Sequence, residues 1–129
     1  MRERRMFHLS VGIGLSLLLL AGCGSMQPAA STPITSMSQL EGKWAGTITL
    51  GFAGPQQQYF LTIHPDGSLV AQWGMNWQWG KITLSNGAAS YELTDSSTGT
   101  LQYNAGPKGR SITMTSTFGN VSVYVTPQG

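Results

Sequence analysis

Between Leu40 and Val125 the apolar residues recur at every second position, in short runs that end at a turn signal roughly every eight to twelve residues. Trp44, Ile48, Leu50 and Phe52 share one parity in the first run, and Tyr59, Leu61 and Ile63 share one in the second. Leu69, Ala71 and Trp73 follow, then Ala89, Tyr91 and Leu93, then Leu101 and Tyr103, and finally Val121, Val123 and Val125. Ile112, Met114 and Phe118 mark the run before that last one. Alternation of this kind places one side of an extended chain in a core and the other in water. Helical periodicity is missing from the whole stretch.

The interruptions carry their own chemistry. Pro65-Asp66-Gly67 presets one φ and supplies a residue free to enter the left-handed region, and Asn86-Gly87 is a strong two-residue hairpin signal. Gly51 to Gln56, Gly74-Met75, Asp95 to Gly99, Gly106 to Gly109 and Gly119-Asn120 divide the remaining runs. Short connections favour pairing of sequential strands. An open apolar meander would leave two strand edges to pair with other chains, and closure removes both. The expectation is therefore an all-β domain, a small antiparallel up-and-down barrel of about eight strands, with a sandwich as the alternative. One local irregularity is expected: Trp77 and Trp79 have the opposite parity from Ile82 and Leu84, which predicts a β-bulge or sharp coil at Gly80.

Before Leu40 the pattern is different. Arg2, Arg4 and Arg5 precede an apolar run from Leu9 to Leu20, about a dozen residues against the roughly 18 needed to span a bilayer. That is the layout of an export signal. The run ends in Leu20-Ala21-Gly22-Cys23, which resembles the lipobox of bacterial lipoproteins. The resemblance implies lipid transfer to the Cys23 sulfur, cleavage between Gly22 and Cys23, and acylation of the new amine, with palmitate among the expected chains. Gly24 rather than Asp after the cysteine implies sorting to the outer membrane, facing the periplasm, with the outer leaflet of the plasma membrane as the alternative. The chain thus divides into a signal peptide (1–22), an acylated cysteine with a flexible tether (23–38) and a barrel domain (39–129). Two or more acyl chains hold a protein firmly to a bilayer, where one gives marginal binding.

Removal of the signal changes the charge. The formal +2 of the full chain includes three arginines and one glutamate from residues 1–22. What remains is Glu41, Asp66, Glu92 and Asp95 against Lys43, Lys81, Lys108 and Arg110, a balance of zero. Such a body has no electrostatic footprint for nucleic acid. Cys23 is the only cysteine, so the domain has no disulfide, and a cysteine-based zinc site is not expected.

Chemistry-bearing residues are few. Trp73, Met75, Trp77 and Trp79 fall within seven residues and, with Trp44, are the candidate ligand-binding set. Indoles present large apolar faces with one donor each, suited to a lipid chain, a sugar or an aromatic compound. The same residues would also fill an eight-strand interior, which is only just wide enough for side chains or one small ligand. His64, Asp66 and Ser68 hold the residue types of a triad, but a tight turn rarely lets a base bond both partners. Glu92 and Asp95 read as surface, and Lys108 and Arg110 are too few to define an acidic partner. No catalytic residue, metal or cofactor is assigned, and the chain is not expected to be an enzyme.

Gly42-Lys43-Trp44 before the first strand resembles the Gly-x-Trp signature of lipocalins and related calycin barrels, in which the tryptophan closes the bottom of the barrel. Ser85 to Tyr91 loosely resembles the inhibitory loop of periplasmic lysozyme inhibitors. The expected function is a membrane-anchored, non-enzymatic binding module of the cell envelope, for a lipid-like or other apolar ligand. The alternative is a structural or inhibitor-like protein that binds an envelope protein through its loops, with a filled interior.

Overall fold

Seven tight connections set the topology. A computed structural model describes residues 31–51 and 54–128, so the signal segment, Gly22, Cys23 and Phe52 lie outside the described residues. The strands are β1 (Gly42–Leu50), β2 (Gln56–Ile63), β3 (Ser68–Trp73), β4 (Asn76–Ser85), β5 (Ala88–Leu93), β6 (Thr98–Gly106), β7 (Gly109–Ser116) and β8 (Val121–Pro127). Each pairs antiparallel with the next, and β8 returns to β1 from Trp44↔Pro127 to Leu50↔Val121, closing an eight-strand barrel. Every strand therefore has two partners, and the sandwich alternative is excluded. Asn86 and Gly87 take φ of 53° and 79°, the positive values a two-residue hairpin turn demands.

The alternation puts Ile48, Leu61, Ile63, Leu69, Ala71, Ile82, Leu101, Ile112, Met114, Val123 and Val125 inside, all buried. Closure between β1 and β8 needs a residue without a side chain: a Cβ on Gly46 would lie 1.9 Å from the Tyr124 carbonyl oxygen.

The two ends of the barrel differ. At the end where β1 starts, residues 31–41 cross beneath the strands as a strap. Thr32 N–H donates to the Tyr103 carbonyl at 2.7 Å, and Ile34 N–H donates to the Gly87 carbonyl at 3.0 Å. Ile34 and Leu40 are buried, and Met37 packs against the core. A single 3₁₀ turn (Met37–Gln39) is capped by Ser36, whose Oγ accepts from Ser38 N–H while Gln39 Oε1 accepts from Ser36 N–H. The reading of residues up to 38 as flexible tether is corrected here: the packed body starts some seven residues before residue 39, at the Thr32 bridge. Ile34 and the Ser36–Gln39 cap are the reason, since they give this segment both a buried anchor and satisfied backbone donors. The unit Ser31–Gly129 holds every buried core residue among those described and closes its own sheet, so it is self-sufficient as a folding body.

Trp44 seals the same end. It is 1 % exposed, its Nε1–H donates to the Leu40 carbonyl at 2.8 Å, and the Arg110 guanidinium sits 5.2 Å from its ring centre. Arg110 Nη1 also donates to the Gln39 carbonyl at 3.3 Å, tying strap to barrel. The Gly42-Lys43-Trp44 expectation of a bottom-closing tryptophan thus agrees with the position of Trp44.

Candidate functional site: the open end of the barrel

Among the described residues no strap crosses the opposite end, and a cavity of about 330 Å³ opens there. Its floor and walls are Ile48, Tyr59, Trp73, Tyr91, Met114 and Val123; Leu50, Leu93, Phe118 and Val121 reach its rim. The Tyr59 and Trp73 rings pack at 5.6 Å between centres with planes 29° apart, joining β2 to β3 across one wall. Trp73 also borders a shallow groove on the outer side, lined by Gln57, Gln58, Phe60, Gln72 and Gly74. Tyr91 reaches inward because β6 carries Gly99 opposite it, where a Cβ would lie 2.4 Å from the Tyr91 hydroxyl.

One side of the mouth is polar. Gln78 faces inward from β4 and its Nε2–H donates to Asp95 Oδ2 at 2.7 Å. Asp95 Oδ1 accepts from Ser97 N–H at 2.9 Å, in a turn where Ser96 takes φ of 73°. The hydrogen bonds from Ser97 hold the Asp95 carboxyl below the usual carboxylate range, against an opposing effect of burial and with a lesser contribution from Gln78. Burial pushes the Tyr59 phenol far above its ordinary value, with the Tyr91 charge adding to the effect. The Tyr91 phenol is raised by burial first and by the Asp95 charge second. At neutral pH the mouth therefore presents one carboxylate and two un-ionised phenols along a mainly apolar wall.

The five tryptophan and methionine candidates are not brought together. Trp73 lines the cavity, whereas Trp44 closes the far end and does not reach it. Met75 tips the β3–β4 turn at 97 % exposure. Trp77 and Trp79 point outward from β4, each 53 % exposed, with ring centres 6.4 Å apart. The expected bulge at Gly80 does not occur. β4 runs unbroken, pairing Leu69↔Gly80 with β3 and Gly80↔Leu93 with β5 in one continuous register. The inward positions are thus Gln78, Gly80, Ile82 and Leu84. The β3–β4–β5 register makes position 80 inward, and it accepts only glycine, because a Cβ there would lie 2.6 Å from the Glu92 carbonyl oxygen and 2.7 Å from Leu93 Cδ2. Likewise Phe118, read with the seventh strand, sits in the β7–β8 turn at 90 % exposure.

Sequence reasoning missed Gln78, Tyr91 and the Asp95–Thr98 segment as cavity residues. Polar side chains and loop positions carry no periodic signal, although Asp95-Ser96-Ser97 does have the composition of a side-chain-capped turn. Elsewhere, the His64–Ser68 turn is no relay: Asp66 Oδ1 accepts directly from Ser68 Oγ at 2.7 Å and Ser68 N–H at 2.9 Å, with no base between them. Glu92 faces outward opposite Lys81 and does not join Asp95. Among the described residues no cluster of His, Cys, Asp or Glu has metal-binding geometry.

Neither a family model, nor a curated protein, nor a solved structure matches this chain.

Proposed function

We propose that this chain is a membrane-anchored envelope lipoprotein whose barrel binds one small apolar ligand through its open end. The observation that carries the reading is the cavity of about 330 Å³, which falls at the lower end of the ligand-pocket range and is apolar on most of its wall. It is blind, because Trp44, Leu40 and the strap fill the other end. A blind apolar pocket with one polar side suits an amphipathic molecule that enters tail first. The depressed Asp95 carboxyl favours an uncharged or hydrogen-bond-donating head over a second carboxylate, since like charges at the mouth repel. A monoacylglycerol or fatty alcohol fits this description better than a fatty-acid anion.

The anchoring half of the proposal rests on Leu20-Ala21-Gly22-Cys23 and the signal layout before it. Lipidation at Cys23 would hold the barrel at the outer membrane, on the periplasmic face, where apolar molecules are abundant. No residue is assigned a catalytic role.

Two measurements test the two halves. Titration of the Ser31–Gly129 unit with a monoacylglycerol is expected to shift tryptophan emission saturably, because Trp73 borders the cavity. A flat response across a series of chain lengths would remove the ligand reading. Intact mass of the protein purified from membranes is expected to show a diacylated or triacylated Cys23 at the N-terminus; a free thiol there would remove the anchor.

A further inference from the structure

The barrel is polarised in a way that ligand binding alone does not require. Its large exposed hydrophobic residues, among those described, are Leu50, Met75, Trp77, Trp79, Phe118 and Tyr124. Met75 and Phe118 tip two of the four connections at the open end, and Leu50 ends β1 at the same rim. Trp77 is the second residue of β4 after the Met75 turn, and Trp79 lies one inward–outward repeat below it on the outer wall. Tyr124 sits midway along β8. None of the six lies at the strap end.

Charge is distributed in the opposite sense. Glu41, Lys43, Asp66, Lys108 and Arg110 sit in the strap, the strand starts or the turns at the closed end, while Lys81 faces outward from the middle of β4 opposite Glu92, the next-to-last residue of β5. In sequence, the four open-end connections (51–55, 74–75, 94–97 and 117–120) contain a single charged residue, Asp95, and its two oxygens already accept from Ser97 and Gln78. Phe118 and Leu50 belong both to the exposed rim and to the cavity lining, so the apolar surface runs without a break from outside to inside.

We infer that the open end docks on a lipid bilayer surface, with Met75 and Phe118 entering the acyl boundary and Trp77 and Trp79 lying at headgroup level. Nearly full exposure of two unbranched or aromatic side chains on hairpin tips is unfavourable in water and is reversed by shallow insertion. Indoles just behind an apolar rim match the aromatic belts found at membrane–water boundaries, where one edge is apolar and the other wet. The sparse charge at this end, Asp95 held by its own turn and Glu92 below the rim opposite Lys81, selects the bilayer over an acidic or basic protein partner. It also implies that insertion is driven by apolar contact rather than by attraction to anionic lipid. The cavity would then fill from the bilayer itself, with the tail passing between Leu50 and Phe118 and never crossing open water.

This inference rests on the apolar-ligand reading and adds the source of the ligand. Its test is flotation of the Ser31–Gly129 unit with vesicles of zwitterionic phosphatidylcholine. The unit is expected to float with the vesicles equally in low and high salt, because screening acts on charges and not on apolar contact. The Met75→Ser/Trp77→Ala double variant, at two exposed residues outside the cavity lining, is expected to lose at least tenfold in vesicle partitioning, while Lys108→Ala keeps it. Monoacylglycerol titration of the double variant without vesicles is expected to give the parent response, which shows that the barrel is folded and separates the two claims. Absence of flotation in the parent unit, flotation that requires anionic lipid or low salt, or flotation unchanged in the double variant would each overturn the inference. So would a concentration-dependent dimer of the parent, seen by sedimentation and abolished in the double variant, together with no vesicle binding; the rim would then join two copies of this chain. A flat monoacylglycerol titration of the parent with flotation intact would instead remove the ligand reading and leave the docking surface.

Discussion

Replacing Trp73 with alanine separates a ligand inside the barrel from one on its outer wall. Trp73 is partly buried, packs on Tyr59 at 5.6 Å and borders the cavity. Truncating a fully buried tryptophan costs about 3–5 kcal/mol, and a stacked aromatic pair contributes about 0.5–1.5 kcal/mol of its own. Here one face of the ring already meets open space, so the vacated volume joins an existing cavity and creates no new closed void. The expected loss is about 2–3 kcal/mol, below the fully buried range. For a domain near this size each kcal/mol moves Tm by about 4–8 °C, which predicts a fall of about 8–24 °C. The wider cavity is expected to accept longer or bulkier acyl chains than the parent, read as a shift in the chain length that binds best. Trp77→Ala and Trp79→Ala, on the outer wall, are expected to leave both chain-length preference and Tm near the parent values. The reasoning is refuted if Trp73→Ala leaves stability and binding unchanged while Trp77→Ala abolishes binding.

Other consequences are equally direct. Ile34→Ala, at 3 % exposure in the strap, is expected to lose about 2–5 kcal/mol in denaturant unfolding; a loss under about 0.5 kcal/mol, typical of exposed sites, would return the segment to tether. Gly46→Val is expected to prevent closure between β1 and β8, because its Cβ has the Tyr124 carbonyl 1.9 Å away, and amide exchange should show those two strands losing protection first. The Asp95 carboxyl is depressed, so its stabilising contribution is present above the unfolded value near 4 and is lost as pH falls through the lower folded value. Because the group is exposed, the effect is under about 1 kcal/mol. Asp95→Asn is expected to flatten the acid limb of a Tm–pH curve, more so with Asp66→Asn, whose carboxyl is lowered by the same kind of turn hydrogen bonds from Ser68; an unchanged acid limb in the double variant would contradict it.

Strand number, turn positions and closure were legible because alternation and turn chemistry are local. Asn86-Gly87 is the pair that a two-residue hairpin with positive φ at both positions prefers, and Tyr59, Leu61 and Ile63 share one face of an extended strand. Trp77 and Trp79 mislead because apolar character alone does not fix burial. Their direction is fixed instead by the register that β3 and β5 impose on β4, a property of three strands together. Phe118 misleads for the same reason, since an exposed aromatic at a turn resembles the end of a buried strand. The strap escaped notice because its hold on the barrel is non-local: Thr32 reaches Tyr103, and Ile34 reaches Gly87. Its local signal, Ser36 and Gln39 at capping-box spacing, was present but short. The polar side of the cavity had no periodic signal at all, because Gln78 and Asp95 meet only once β4 and the β5–β6 turn are folded together.

The central claim is that the apolar ligand lies inside the open end, and methyl chemical shifts of the Ser31–Gly129 unit test it most directly. On addition of a monoacylglycerol, the Ile48, Met114 and Val123 methyls are predicted to shift saturably while those of Ile63 and Leu69, at the closed end, stay fixed. Shifts confined to the indole signals of Trp77 and Trp79, with the cavity methyls unmoved, would contradict it.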